Sequence, residues 1–110
     1  MLVDFDQVFM TMGGEPLIRE EKGKKVDATL KEISVEALLS FDPTDKAVKG
    51  PEKARRFDLA ILINKNGGKL KVESEDIVLM KELIGDGYPP IVVGQAYKFL
   101  EGDKDEEKEK

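Results

Sequence analysis

The chain has 110 residues, a length typical of one domain, and its 18 Lys and Arg against 23 Asp and Glu give a net charge of −5. This charge argues against binding to nucleic acid or anionic membranes, which needs clustered Lys and Arg, and no apolar run is long enough to span a membrane. The absence of Cys and His excludes disulfides, thiol nucleophiles and imidazole ligands or bases, and the N-terminal residues do not form a secretory signal, so we expect a cytoplasmic protein without a cofactor.

The first predicted element is a short β-hairpin over residues 7–18, whose two arms flank Gly13 and Gly14. Glycine supplies the positive φ angles that tight hairpin turns need. Pro16 lacks a backbone donor, which predicts that the second arm lies at a sheet edge. The charged residues 19–25 are expected to form an exposed loop.

A first helix is predicted over residues 30–41. Thr29 and Glu32 have the spacing of a capping box at its start, and Pro43 ends it because the residue before a proline avoids the α region. Its apolar residues recur at helical spacing: Leu30, Ile33, Ala37, Leu38 and Phe41.

A second helix is predicted over residues 51–65, beginning at Pro51 and ending before Gly67. Its apolar residues extend well beyond one face, which is typical of a helix packed on several sides. We therefore expect Phe57 and Ile61 to be core residues, so that changing either to Ala would cost about 2–5 kcal/mol of stability.

Residues 69–73 alternate between polar and apolar and predict a short strand that pairs with the hairpin. Ser74 is then expected to cap a third helix, which residues 85–87 (Gly-Asp-Gly) break. Its predicted apolar stripe consists of Ile77, Met80, Leu83 and Ile84.

Pro89 and Pro90 open a fourth predicted helix, which Gly102 stops. The side chains expected to face inward are Val93, Ala96, Tyr97 and Leu100. Together these elements predict a mainly helical α+β fold, with about four helices around one core and a small β element of two or three strands. Residues 1–102 form the predicted domain, and residues 103–110, which contain no apolar side chain, predict a disordered tail that folding does not need.

Most candidate chemistry in the chain has an ordinary structural explanation. Residues 64–74 are similar to an EF-hand calcium loop, but with Asn64 first the loop is one residue short and Ser74 replaces the bidentate glutamate. Adjacent carboxylate pairs lie in a loop, a helix start or the tail, where water solvates both groups. The glycines do not have phosphate-binding spacing. We therefore predict no catalytic residues and no metal ligands.

The segment from Tyr88 to Gln95 is the least explained by helix formation alone. Two prolines are followed by three β-branched residues, and Gly94 costs about 1 kcal/mol in a helix interior. Either this helix packs closely on the second helix, or the segment docks a partner. On the second interpretation the two prolines make the surface rigid, and Tyr88 is a residue type enriched at interfaces. We also expect Ile91 and Val92 to lie on the opposite side of the helix from Val93 and Ala96, so that they do not all face one core. The candidate partner-binding residues are Tyr88, Pro89, Pro90, Ile91, Val92 and Gln95.

Four stretches of the sequence resemble small proteins of tailed bacteriophages and prophages. They are Glu36-Ala37-Leu38-Leu39, Glu52-Lys53-Ala54-Arg55-Arg56-Phe57-Asp58-Leu59-Ala60, Glu75-Asp76-Ile77 and Val92-Val93-Gly94-Gln95-Ala96-Tyr97-Lys98-Phe99-Leu100. The resemblance covers residues 7–101 and implies a setting, the cytoplasm of a bacterial host or a virion. The group has no established activity, so it implies no functional residue.

Two functions are consistent with these observations. The first is a non-enzymatic phage or prophage protein that acts through protein–protein contact, as an assembly or accessory factor, with a protein partner or a second copy of itself. The second is a small regulatory or host-modulating protein that binds a host enzyme or nucleic acid. The anionic net charge favours a protein partner.

Overall fold

The computed structural model describes residues 1–40 and 47–101, and within these residues it confirms a mainly helical α+β fold. The strands are β1 (Leu2–Asp4), β2 (Ile18–Glu21), β3 (Lys24–Asp27) and β4 (Lys69–Lys71). The helices are α1 (Leu30–Leu39), α2 (Gly50–Asn66), α3 (Ser74–Gly87) and α4 (Pro90–Leu100). The strands of this described part form two separate antiparallel pairs, β1 with β4 and β2 with β3.

The predicted strand after α2 is confirmed as β4, but its expected pairing with the hairpin is wrong. It pairs with β1, with Val3 opposite Leu70. The backbone of Phe5, just after β1, forms two further hydrogen bonds. Its N–H donates to the Gly68 carbonyl at 2.8 Å, and its carbonyl accepts from the Lys31 N–H of α1 at 2.9 Å. Val3 and Phe5 are both fully buried, so the N-terminal segment forms part of the core.

The hairpin lies later in the chain than predicted. The two predicted arms share one isolated bridge, between Met10 and Pro16, and Val8 forms another with Thr29. The regular hairpin is instead formed by β2 and β3, across the expected loop 19–25. Lys22 and Gly23 both have positive φ angles, 50° and 79°, as a type I′ turn requires. Because this hairpin exposes most of its side chains, its sequence shows no apolar alternation.

Helix α1 begins as predicted. Glu32 N–H donates to the Thr29 hydroxyl at 3.4 Å, and the hydroxyl in turn donates to the Glu32 carboxylate at 3.1 Å. The helix ends at Leu39, and the Ser40 hydroxyl donates to the Ala37 carbonyl at 2.7 Å. The predicted end residues Phe41 and Pro43 lie outside the described residues.

Helix α2 has close to its predicted bounds, but its predicted core residues are wrong. Phe57 is 53% exposed and Ile61 is 39% exposed, whereas Leu59, Ala60 and Ile63 are buried. The reason is that α2 packs on the rest of the domain, mainly α1, through one side only. The opposite side of this helix, although also apolar, faces solvent.

Helix α3 runs through the glycines that were expected to break it and ends at Gly87. Its N-cap is Glu73, one residue before the predicted cap, and Glu73 forms a reciprocal capping box with Asp76. A side chain larger than glycine would clash at position 85, because a Cβ there would lie only 2.8 Å from the Tyr97 hydroxyl. Glycine at this position therefore allows α4 to approach α3.

Helix α4 buries Ala96 and Leu100 as predicted, whereas the predicted Val93 and Tyr97 are only partly buried. Val92, which was not expected to face inward, is buried as well. Residues 92 and 96 are one turn apart, so they share a face, and the expectation that Val92 lies opposite Ala96 is wrong. Phe99 packs against Phe9 with ring centroids 5.2 Å apart.

No helix among the described residues is long and apolar enough to cross a membrane. The predicted stop at Gly102 and the predicted tail, residues 103–110, lie outside the part of the chain that the structure describes.

Candidate functional site

The structure divides the six predicted partner-binding residues into internal and surface groups. Tyr88 belongs to the first group, because its ring packs against the core and its hydroxyl donates to Glu36 Oε1 at 2.6 Å. The other oxygen of Glu36 accepts a hydrogen bond from the Arg19 guanidinium. This chain of three side chains joins β2, α1 and the end of α3.

The network shifts the acidity of its members. Burial raises the pKa of the Tyr88 phenol above its ordinary value, and the hydrogen bond to Glu36 raises it further. The Tyr88 and Arg19 hydrogen bonds lower the pKa of the Glu36 carboxyl. At neutral pH the network therefore holds a neutral phenol against an ionised carboxylate, an arrangement that stabilises the fold.

Val92 is also internal, since its side chain is buried in the core. Pro89 is the N-cap of α4 and Pro90 is its first residue, and both are exposed. Of the predicted six, Ile91 and Gln95 line a depression on the described surface.

That depression, here called the α4 groove, lies between the loop at residues 10–12 and the first turns of α4. It has a volume of about 340 Å³ and is open to solvent. Its lining residues are Met10, Thr11, Met12, Ile91, Gly94, Gln95 and Lys98. The Met12 side chain is 92% exposed, so a flexible thioether side chain stands at the edge of the groove.

Gln95 fixes one wall of the groove. Its side-chain carbonyl accepts from Met10 N–H at 2.8 Å, and its amide donates to the Met10 carbonyl at 2.8 Å. The same amide donates to the Ile91 carbonyl at 2.9 Å. Gln95 thus pairs with a loop residue as a neighbouring strand would, and it holds the methionine loop against α4.

Gly94 leaves the middle of the groove empty. In the described part of the chain, a Cβ at position 94 would meet no atom of another element within 4 Å. Close packing on the second helix, the structural explanation considered for this glycine, therefore does not apply. Position 94 is exposed, so a side chain there would extend into solvent beside the groove, and the helix carries the conformational cost of a glycine without a packing contact that requires it.

The walls of the groove are apolar side chains, the Thr11 side chain and the Gln95 amide. Lys98 is the one charged residue of this lining. Within residues 1–40 and 47–101, no three carboxylates are grouped so that they could hold a metal ion.

The sequence predicts α4 but not the methionine loop beside it. Met10 and Met12 lie in a predicted hairpin arm, and no local signal indicates that Gln95 reaches across to them. The contact joins residues 85 positions apart, and short-range patterns do not report such contacts.

Comparisons with protein-family models, with curated proteins and with solved structures gave no match to this chain.

Proposed function

We propose that this chain is a non-enzymatic interaction protein that binds a partner protein through the α4 groove. The observation that carries the proposal is the vacant space above Gly94, between Ile91 and the exposed Met12. A glycine in a helix interior costs stability, and here nothing in the described fold uses it.

The lining of the groove indicates the chemistry of the partner. Two methionines and Ile91 offer an apolar surface that can adapt its shape, as methionine-rich binding surfaces do. The missing side chain at position 94 lets a partner backbone approach α4 closely. Lys98 at the rim favours a carboxylate next to the apolar group, so the expected ligand is an apolar segment followed by Asp or Glu.

The setting of this function is proposed from the sequence resemblance. A phage or prophage accessory or assembly factor would work in the cytoplasm of its bacterial host or within the virion. The domain offers a small fixed surface with a shaped groove, which suits such a role.

The test compares glycine variants that differ only in position. Gly94→Leu fills the groove, and Gly87→Leu adds the same side chain at another helical glycine with open space above it. Each purified protein is used to capture partners from lysates of the bacterium that carries the gene, before and after prophage induction. A captured protein is then titrated into isotope-labelled wild-type protein and followed by NMR.

We expect the wild type and Gly87→Leu to retain the same partner, and Gly94→Leu to weaken it at least about tenfold, which corresponds to about 1.4 kcal/mol. The largest shifts in the NMR spectra should fall on residues 10–12, 91 and 94. Equal capture by Gly94→Leu, or shifts confined to another face, would contradict the proposal.

A further inference from the structure

Helix α2 is apolar on both sides, and the fold uses only one of them. Leu59, Ala60 and Ile63 are buried, while the opposite side carries Phe57, Ile61 and Leu62, all large and exposed. Three large apolar side chains exposed close together and bordered by charged residues form the kind of patch that marks a contact surface.

The outer face of α2 is defined here by Ala54, Phe57, Asp58, Ile61, Leu62 and Lys65. With about 3.6 residues per turn, residues 54, 58, 61 and 65 lie along the line opposite the buried stripe, and Phe57 and Leu62 flank that line. Leu39 of α1 is also exposed and lines a shallow groove with Asn64, so it extends the apolar area at one edge.

The charges on this face match those of a second copy in one orientation. Asp58 lies three residues before Ile61 and Lys65 lies four residues after it. If two α2 helices cross antiparallel about a twofold axis beside Ile61, Asp58 of each helix lies across from Lys65 of the other. A parallel pair would instead place like charges together.

Both charged groups are available for this pairing. Within the described residues neither Asp58 nor Lys65 forms a salt bridge, whereas other charges of α2 are already paired, such as Arg55 with Glu52 and Asp76. In a twofold symmetric dimer every contact between two different residues occurs twice, so the interface would contain two Asp58–Lys65 ion pairs.

We propose that the chain self-associates through the outer face of α2, as an antiparallel twofold dimer with Ile61 at its centre and two Asp58–Lys65 pairs at its edges. The surface is separate from the α4 groove, so the dimer and the partner site can be tested independently. One helix pair with a small apolar seam makes a reversible dimer, with a dissociation constant of about 1 μM or weaker.

The experiment uses charge reversal on the full chain. Asp58→Lys and Lys65→Asp each create two like-charge contacts in a homodimer, so each variant alone should dimerise about tenfold more weakly or worse. Mixed in equal amounts, the two variants should recover association, because both contacts in the mixed dimer are then between opposite charges. Asp86→Lys, at an exposed acid on α3, is the control for the change in net charge.

Sedimentation velocity measures association up to about 1 mM protein, which covers weak dimers, and circular dichroism confirms that every variant is folded. Recovery of the dimer in the mixture, with Asp86→Lys behaving as wild type, is the expected result. A wild type that stays monomeric throughout, or a mixture no more associated than its components, would overturn the proposal. In either case the α4 groove experiment is unaffected.

Discussion

The hydroxyl of Tyr88 donates to Glu36, and this contact has a measurable electrostatic consequence. The folded state lowers the pKa of Glu36 below its ordinary value of 4.5, and the Tyr88 hydrogen bond is the largest cause. The stability from this contact is therefore present above pH 4.5 and is lost as the pH falls through the lowered pKa.

Tyr88→Phe should raise the pKa of Glu36 and reduce stability at pH 7 by about 0.5–1.5 kcal/mol, the usual net value of one hydrogen bond. The difference in stability from wild type should narrow as the pH falls below 4.5. NMR titration of the Glu36 carboxyl carbon and thermal unfolding at several pH values measure the two effects.

Tyr97→Phe is the matched control, because the Tyr97 hydroxyl donates to the Lys81 carbonyl and not to a carboxylate. It should leave the titration of Glu36 unchanged. An unshifted Glu36 in Tyr88→Phe would show that Arg19 alone sets the acidity of that carboxyl.

At the level of helices, Gly94 of α4 and Gly85 of α3 both reduce helix stability relative to alanine, but Gly94 has open space beside it and Gly85 lies against Tyr97. Gly94→Ala should stabilise the protein by about 0.5–1 kcal/mol, because the new methyl group enters open space on α4. Gly85→Ala should give no gain or a loss, because its methyl group would lie 2.8 Å from the Tyr97 hydroxyl and overpacking costs about 1–3 kcal/mol.

Urea denaturation of both variants measures this contrast. Stabilisation by Gly85→Ala equal to that by Gly94→Ala would mean that α4 does not approach α3 as described. If Gly94→Ala instead destabilised the protein, the space above α4 would be occupied in solution.

The elements that the sequence predicted well are those with strong local signals. Thr29 with Glu32 and the proline at the start of α2 located two helices, because caps and prolines act within a single turn. The sequence predicts Phe57 and Ile61 as core residues because apolar residues at helical spacing give the same signal whether or not the fold covers them. The β2–β3 hairpin was missed because its exposed strands carry charged side chains.

For the whole molecule, the N-terminal segment connects elements that are far apart in the chain. Phe5 is fully buried, and its backbone is hydrogen-bonded both to Gly68, between α2 and β4, and to Lys31 at the start of α1. The alternation of Val3 and Phe5 with Asp4 and Asp6 was a usable strand signal, but the pairing with β4 joins residues too distant for local patterns to reveal. The candidate site could be predicted only in part. The prolines at positions 89 and 90 mark the start of α4, whereas nothing in the local sequence indicates that the loop at residues 10–12 lies against that helix.

Phe5→Ala should reduce the free energy of unfolding by about 3–5 kcal/mol, a large part of the total stability of a small domain. Leu2→Ala, an exposed position of β1, is the control and should cost less than about 1 kcal/mol. Urea denaturation followed by circular dichroism measures both, and a loss at Phe5 no larger than at Leu2 would show that the first strand is not docked.

The pairing of β1 with β4 also constrains when the protein can fold during its synthesis. Lys69–Lys71 of β4 are translated about 3–14 s after β1, at a synthesis rate of about 5–20 residues per second. The end of α4, whose Leu100 is fully buried, comes later still. Val3 and Phe5 therefore leave the ribosome well before the groups that cover them, and a nascent chain would expose them to chaperones until the residues up to Leu100 have also emerged.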